Sequence, residues 1–197
     1  MTNSKPIIEA WFPKTLYVVN EFHLDNLELY KKELLKLIAK QSIRNGSNFV
    51  DTTHNVGESD LTNNPIFANL INDLLFYCND YANTLGYRLN LKIENMWANL
   101  SKKNDYLFPH IHSGSLLSGV FYISVDNENE TIKFYDNINN MMVSPPSENL
   151  SEISFETCEH SCKPGKLILF KSNFLHGCPA LIGNEKIVIS FNVNYDS

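Results

Sequence analysis

The sequence predicts an all-β core with helices, an α+β domain in which a helical layer packs on an antiparallel sandwich or barrel. Three observations carry this. Two stretches among the first 87 residues repeat their apolar positions at helical spacing. After Gly86 the period changes from helical to two. The apolar runs that follow are short and separated by turn signals, the pattern of hairpins rather than of long crossovers.

The chain has 197 residues, which suits a single domain spanning 1–197. Within it, 1–87 reads as an N-terminal strand with helical support and 88–197 as the β core. Hydrophobic residues make up 43% and the formal net charge is −6. That balance argues against nucleic acid or an anionic membrane as the main partner, because both need a basic face. No apolar run reaches the length of a membrane span. The opening "MTNSKPIIEAWFPK" lacks the charged, apolar and small-residue zones of an export signal, so the expected location is cytoplasmic. Cys78, Cys158, Cys162 and Cys178 are then expected as free thiols. If "SFETCEHSC" is a strand, Cys158 and Cys162 lie about 13 Å apart along it, too far to share a zinc ion.

"TLYVV", Thr15 to Val19, is β-branched and apolar and opens the fold as a strand. Asp25 and Glu28 are spaced as a capping box. Leu27, Tyr30, Leu34, Leu37 and Ile38 then predict an amphipathic helix from Asn26 to about Arg44, closed by Asn45-Gly46. "IRNGSNFVDTTHNVGESDLTNNP" is polar and broken, and reads as a long loop. Asn64-Pro65 supplies an N-cap and a proline at the first helical position. Phe67, Leu70, Ile71, Leu74, Leu75, Cys78, Tyr81 and Leu85 continue that helix to Gly86. "YRLNLKIENMWANL" alternates, with Leu89, Leu91 and Ile93 opposite Arg88, Asn90, Lys92 and Glu94. Further strands are "SLLSGVFYISV", "TIKFY", "ISFETCEH", "KLILFKS" and "KIVISFNVNY", separated by "DNENE", "KPG" and "IGNE". Asp136 to Glu152 is too long for a hairpin and reads as a lid or a loop.

The chemistry-bearing residues sit in the later strands. On a strand, residues i and i+2 face one way about 6.6 Å apart, so His110 and His112 can aim two imidazoles at one point while Ile111 turns away. By themselves they are equally two histidines on a loop. His176 follows the strand after Pro164-Gly165. In a jelly roll that strand lies across from the central ones, which would bring His176 to the first pair. Lys186, Val188, Ser190 and Asn192 share one face of the last strand. A lysine facing inward is costly unless it meets an anion, whereas a strand-edge lysine would snorkel to water.

In order and spacing, "HIHSGSLLSGVFYI", "PGKLILFKSNFLH" and "KIVISFN" resemble the 2-oxoglutarate- and iron(II)-dependent oxygenases, and more narrowly a group of them found in marine bacteria and phages. The resemblance runs from about Trp97 to Asn194. It implies a double-stranded β-helix, or jelly roll, with Fe(II) at its mouth. His110 would match the first ligand, His112 the position where a carboxylate is usual, and His176 the distal ligand. Lys186 would bind the far carboxylate of 2-oxoglutarate. Tyr122, Asn99 and Ser190 would complete the cosubstrate pocket. The implied activity is a dioxygenase, a hydroxylase that uses dioxygen and 2-oxoglutarate on an unknown organic or protein substrate. Such chemistry needs no general base, and no nucleophile–base motif is visible.

Three departures stand out. Lysine replaces the narrower group's arginine. Val188 replaces a serine that often helps hold the cosubstrate. His112 replaces an acid, and three neutral nitrogens also suit zinc or copper. Two other readings remain open on the residues alone. One is a cupin-type oxygenase with three histidines and no 2-oxoglutarate, which would not need Lys186. The other is a non-enzymatic jelly-roll binding or virion-associated module. A second copy of the chain, as a homodimer, is also an open partner. The substrate pocket is expected to be walled by Asn45 to Asn63 and Asp136 to Glu152.

Overall fold

A computed structural model describes residues 7–9, 11, 13–45, 48–56, 60–136 and 155–196. The expected lid lies outside the described residues from 137 onward. Among the described residues, eleven strands and two α-helices run in the order β1 (Leu16–Val19), α1 (Leu27–Gln41), β2 (Ile43–Asn45), β3 (Asn48–Thr52), α2 (Ala68–Thr84), β4 (Leu91–Lys102), β5 (Leu107–His110), β6 (Leu117–Val125), β7 (Thr131–Tyr135), β8 (Thr157–Ser161), β9 (Leu167–Lys171), β10 (His176–Cys178) and β11 (Glu185–Tyr195). All pairings are antiparallel. The order is β1-β9-β6-β11-β4-β3-β5-β10-β7-β8, with β2 on β3. The larger layer, β1-β9-β6-β11-β4, folds over the smaller one, β5-β10-β7-β8, through β3. This is the mostly antiparallel core with two helices that the period change predicts, in the double-stranded β-helix form.

Alternation sorts the large layer into two faces. Phe121, Leu167, Ile187, Ile189 and Phe191 pack outward in one core with both helices. Val120, Tyr122, Ile168, Phe170 and Val188 face inward in a second core with Ile132 and Phe134 of β7. Helix α1 lies on β4 and β6, and α2 on β4. Tyr30, Leu34 and Ile38 of α1, and Leu70, Leu74 and Cys78 of α2, are buried in that outer core. The helices therefore support the sheet from outside and leave the barrel interior free. Gly119 of β6 is needed for this packing, because a Cβ there would lie 2.1 Å from the Phe191 ring.

Several local expectations change. Helix α1 stops at Gln41, and 43–45 becomes β2 instead of a last helical turn. No side chain caps its start, so the Asp25–Glu28 spacing forms no capping box; a 3-10 turn, Leu24–Asn26, leads in. The stretch read as a long loop holds β3, which pairs with β4 and β5, and β2, which pairs with β3; this pairing overrides its polar composition. The Asn64 cap is present, its side chain accepting from the Ile66 backbone N–H at 3.0 Å, on a 3-10 turn (Pro65–Phe67) that runs into α2. Gly86 has a φ of 80°, the left-handed stop expected after α2. Among the described residues no helix is long and apolar enough to cross a membrane.

Leu74 is fully buried at the centre of the outer core. Leu74→Asp places an unpaired charge there and is expected to cost about 3–5 kcal/mol, read as a drop in denaturant midpoint. A midpoint equal to the parent's would mean that α2 does not dock on β4.

Candidate metal centre

The short strand β10 builds the site. It lies between β5 and β7, with His176 opposite His110 on one side and Phe134 on the other. The next residue, Gly177, lets it lie that close. A Cβ there would sit 2.7 Å from the Leu107 carbonyl oxygen and 3.0 Å from the Pro109 nitrogen, both backbone atoms that cannot yield. His110 is the last residue of β5, and His112 lies just beyond the strand. Beyond the strand the chain is clipped, the His112 N–H donating to the Ser172 carbonyl at 2.9 Å, before it turns at Ser113-Gly114. Ile111 does point away, 44% exposed.

His110, His112 and His176 bring one ligand nitrogen each to within 4.8 Å of one another. Each ring is held from behind. His110 Nδ1 bonds the Phe108 carbonyl at 2.8 Å, His176 Nδ1 bonds the Phe174 carbonyl at 2.9 Å, and His112 Nδ1 bonds Asn192 Oδ1. A carbonyl oxygen can only accept, so the proton of each neutral ring is assigned to Nδ1 and the lone pair to Nε2. The Nε2 atoms of His110 and His112 are 3.3 Å apart. Two lone pairs at that distance repel unless a cation lies between them. Two metal–nitrogen bonds of about 2.1 Å span about 3.0 Å at a right angle and about 3.4 Å at a tetrahedral one, so the spacing fits one ion.

Charge supports the same state. Burial, and then the neighbouring His110, push the pKa of His176 down to about 3. Burial also lowers His112, against the bond from Asn192. Both rings are neutral at physiological pH, as metal ligands must be. Asn192 Oδ1 also accepts from Ser118 Oγ at 3.0 Å, and Ser118 meets Ser172 Oγ at 2.8 Å. This buried chain fixes the His112 ring through three strands or their ends. The sequence reading placed Asn192 on the right face without this role; the signal was its alternation with Lys186 and Ser190.

A cavity of about 570 Å³ opens from the triad. Its inner end is lined by Lys186, Tyr122, Cys178, Ile132 and Phe170. Lys186 is 3% exposed. Burial pulls its pKa down, and Cys178, Cys162 and Glu130 pull it up by more. Burial lifts the Cys162 thiol to about 11, so at neutral pH it carries no charge. Glu130 is committed elsewhere, accepting at 2.8 Å from the backbone N–H groups of both Ile182 and Gly183. Among the described residues no carboxylate lies within ion-pair distance of the Lys186 ammonium. The Tyr122 hydroxyl is buried without a hydrogen-bond partner, and burial raises its pKa well above the usual value. A buried cation, hydrogen-bonded to the Cys178 thiol but facing no anion, and a buried hydroxyl without a partner thus face one enclosed space, and leaving such a hydroxyl unpartnered costs roughly 1–3 kcal/mol.

Asn99 and Ser190 line the same cavity but are tied to each other. With the Asn99 amide oriented to suit its neighbours, Oδ1 accepts from Ser190 Oγ at 3.1 Å and Trp97 Nε1 at 3.2 Å, and Nδ2 donates to Thr52 Oγ1 at 2.6 Å. They shape the wall and hold Trp97. His54, also on the wall, stacks on Trp97 at 4.3 Å and was not singled out by sequence. Cys158 is exposed and Cys162 buried, and neither joins a metal-binding group among the described residues.

Residues 95–192 match the family described as "Putative 2OG-Fe(II) oxygenase". Similar solved structures include HygX from Streptomyces hygroscopicus with nickel and 2-oxoglutarate bound, at 16% identity and a TM-score of 0.67 over 92% of this chain and 83% of that one. A Pseudomonas putida prolyl-4-hydroxylase is similar at 11% identity and a TM-score of 0.64, covering 93% and 94%. The viral collagen prolyl hydroxylase of Paramecium Bursaria Chlorella virus-1, in its 2-oxoglutarate complex, gives 11% and 0.57 over 90% and 94%. No curated protein matches.

Asn192→Ala removes the oxygen that orients His112. Nickel(II) affinity measured by calorimetry is expected to fall 10- to 100-fold with the fold retained. An unchanged affinity would detach Asn192 from the site.

Proposed function

The chain belongs to the 2OG-Fe(II) oxygenase family, and on that premise we propose that His110, His112 and His176 hold one iron(II) while Lys186 and Tyr122 hold 2-oxoglutarate beside it. The observation that carries the assignment is the pair of Nε2 lone pairs held 3.3 Å apart by rings anchored through Nδ1. Bound iron(II) and 2-oxoglutarate together supply dioxygen activation, with 2-oxoglutarate leaving as succinate and carbon dioxide. The chain's own residues bind, orient and exclude water.

Lys186 offers a point charge to the far carboxylate, and the Tyr122 hydroxyl donates to the same group. Lys186 gains a counter-charge there and Tyr122 a hydrogen-bond partner. Lysine lacks the two-pronged geometry of arginine, so Tyr122 bears more of the orientation. Ile132, Phe170 and Val188 line this end and keep water from the ammonium. Asn99 and Ser190 act through the wall, keeping Trp97 in place. The three neutral rings leave the metal's charge to be balanced by the cosubstrate. The 2-oxoglutarate-free alternative gives no reason for a lysine buried to 3% exposure in the pocket.

His176→Ala is expected to lose most iron(II) binding, since two ligands remain. Lys186→Met is expected to keep iron(II) and the fold but weaken 2-oxoglutarate by about 2–4 kcal/mol, the effect of losing a buried charge partner. The measurement is a titration of 2-oxoglutarate into anaerobic iron(II) protein, followed by the metal-to-ligand absorption band. Superimposable curves for parent and Lys186→Met would remove Lys186 from the site.

A further inference from the structure

Strand β4 carries a bulge at the mouth of the cavity. Its partner β11 steps from Asn192, opposite Asn95, to Val193, opposite Ile93, so Glu94 is the extra residue. The consequence is visible in the packing. Above the bulge Met96, Ala98 and Leu100 face the helices, and below it Leu91 and Ile93 do. Simple alternation would send Asn95 toward the helices with Ile93. The bulge instead puts two consecutive residues, Glu94 and Asn95, on the cavity wall.

Both present acceptors there. Asn95 Oδ1 is buried and has no hydrogen-bond partner; it and the Tyr122 hydroxyl are the two such side-chain atoms among the described residues, and both line this cavity. Glu94 is exposed at the mouth, one oxygen taking only a long 3.5 Å bond from Asn194 Nδ2. Among the described lining residues, apart from the triad, Lys186 and Glu94 alone are ionised at neutral pH. With the dianionic cosubstrate set against the metal and Lys186, Glu94 is the one anionic side chain that the described wall offers a second ligand. It shares the cavity wall with Trp97, whose ring centroid is 5.8 Å from that of His112.

We propose that the bulged pair Glu94–Asn95 is the substrate-recognition element and that the substrate carries a cationic amine, its ammonium donating to the Glu94 carboxylate and the Asn95 side-chain oxygen. The inference rests on the oxygenase reading above, since it uses the cosubstrate to neutralise Lys186. An ammonium has three donors and no acceptor, which matches the two acceptor sites, the Glu94 carboxylate and the unpartnered Asn95 Oδ1. A carboxylate substrate would meet Glu94 with like charge and leave Asn95 Oδ1 unsatisfied. A neutral hydroxyl would satisfy only part of the pair.

The test uses the full-length protein loaded with nickel(II) and 2-oxoglutarate, with calorimetry as the readout. Probes are glucosamine and spermidine as free amines and a short lysine-containing peptide as a side-chain amine, each beside its N-acetylated counterpart. At least one amine is expected to bind about fivefold or more tightly than its acetylated form, and which arm does so tells a small molecule from a basic side chain. Glu94→Gln is expected to remove that preference while leaving nickel(II) and 2-oxoglutarate affinities unchanged. No preference for any amine in the parent, or a preference that survives Glu94→Gln, overturns the proposal. Failure of the parent to bind nickel(II) and 2-oxoglutarate is a separate result, and it overturns the oxygenase site assignment on which this proposal rests.

Discussion

Three imidazoles are held with their bare nitrogens toward one point, and the pairing of β10 with β5 makes this so. Place His176 one register step away and its ring no longer faces His110. The pairing is three residues long, so it cannot rest on many ladder bonds. It rests on Gly177, which permits close approach, and on carbonyls of Phe108 and Phe174 that take the ring protons. The arrangement is unfavourable by itself. Lone pairs face each other, and His176 is held neutral by burial at a cost to any protonated form. A divalent cation turns these costs into bonds.

The same logic extends inward. Lys186 and Tyr122 are polar groups in an interior otherwise built of Val120, Ile168, Phe170 and Val188. A fold selected only for stability would not place an ammonium and an unpartnered hydroxyl there. On the proposed assignment one dicarboxylate meets both. The outer core pays no such cost: the residues that β6, β9 and β11 turn toward α1 and α2 are apolar, and the hydroxyls of Tyr30 and Tyr81 there are hydrogen-bonded, so the sheet is held firmly on the face away from the chemistry. Rigid support behind and unmet polar groups in front is the division of labour that a pre-organised site requires.

Alternation and turn signals made most of the large layer legible in the sequence, because each of its strands has one apolar face on the helices. The triad was legible for a different reason, the order of three segments rather than any local pattern. What was not legible depended on tertiary pairing. Strands β2 and β3 are polar; β3 exists because β4 and β5 offer ladder partners, and β2 because β3 does. Strand β10 is too short to show a period. The clip of His112 on Ser172 and the β4 bulge, set by the register of β11, leave no mark on composition. Asn192 lay on the correct face by alternation, but its bond to His112 could be seen only once β11 was set against the loop after β5.

The central claim is that one metal ion is shared by three histidines, with the cosubstrate between it and Lys186. The most direct measurement is a crystal structure of the protein with iron(II) and 2-oxoglutarate under anaerobic conditions, with anomalous data at the iron edge. The account predicts a single anomalous peak about 2.1 Å from Nε2 of His110, His112 and His176, and a carboxylate of 2-oxoglutarate against Lys186 Nζ and the Tyr122 hydroxyl. A metal bound by fewer than these three histidines, or a cosubstrate that leaves Lys186 without a partner, would contradict it.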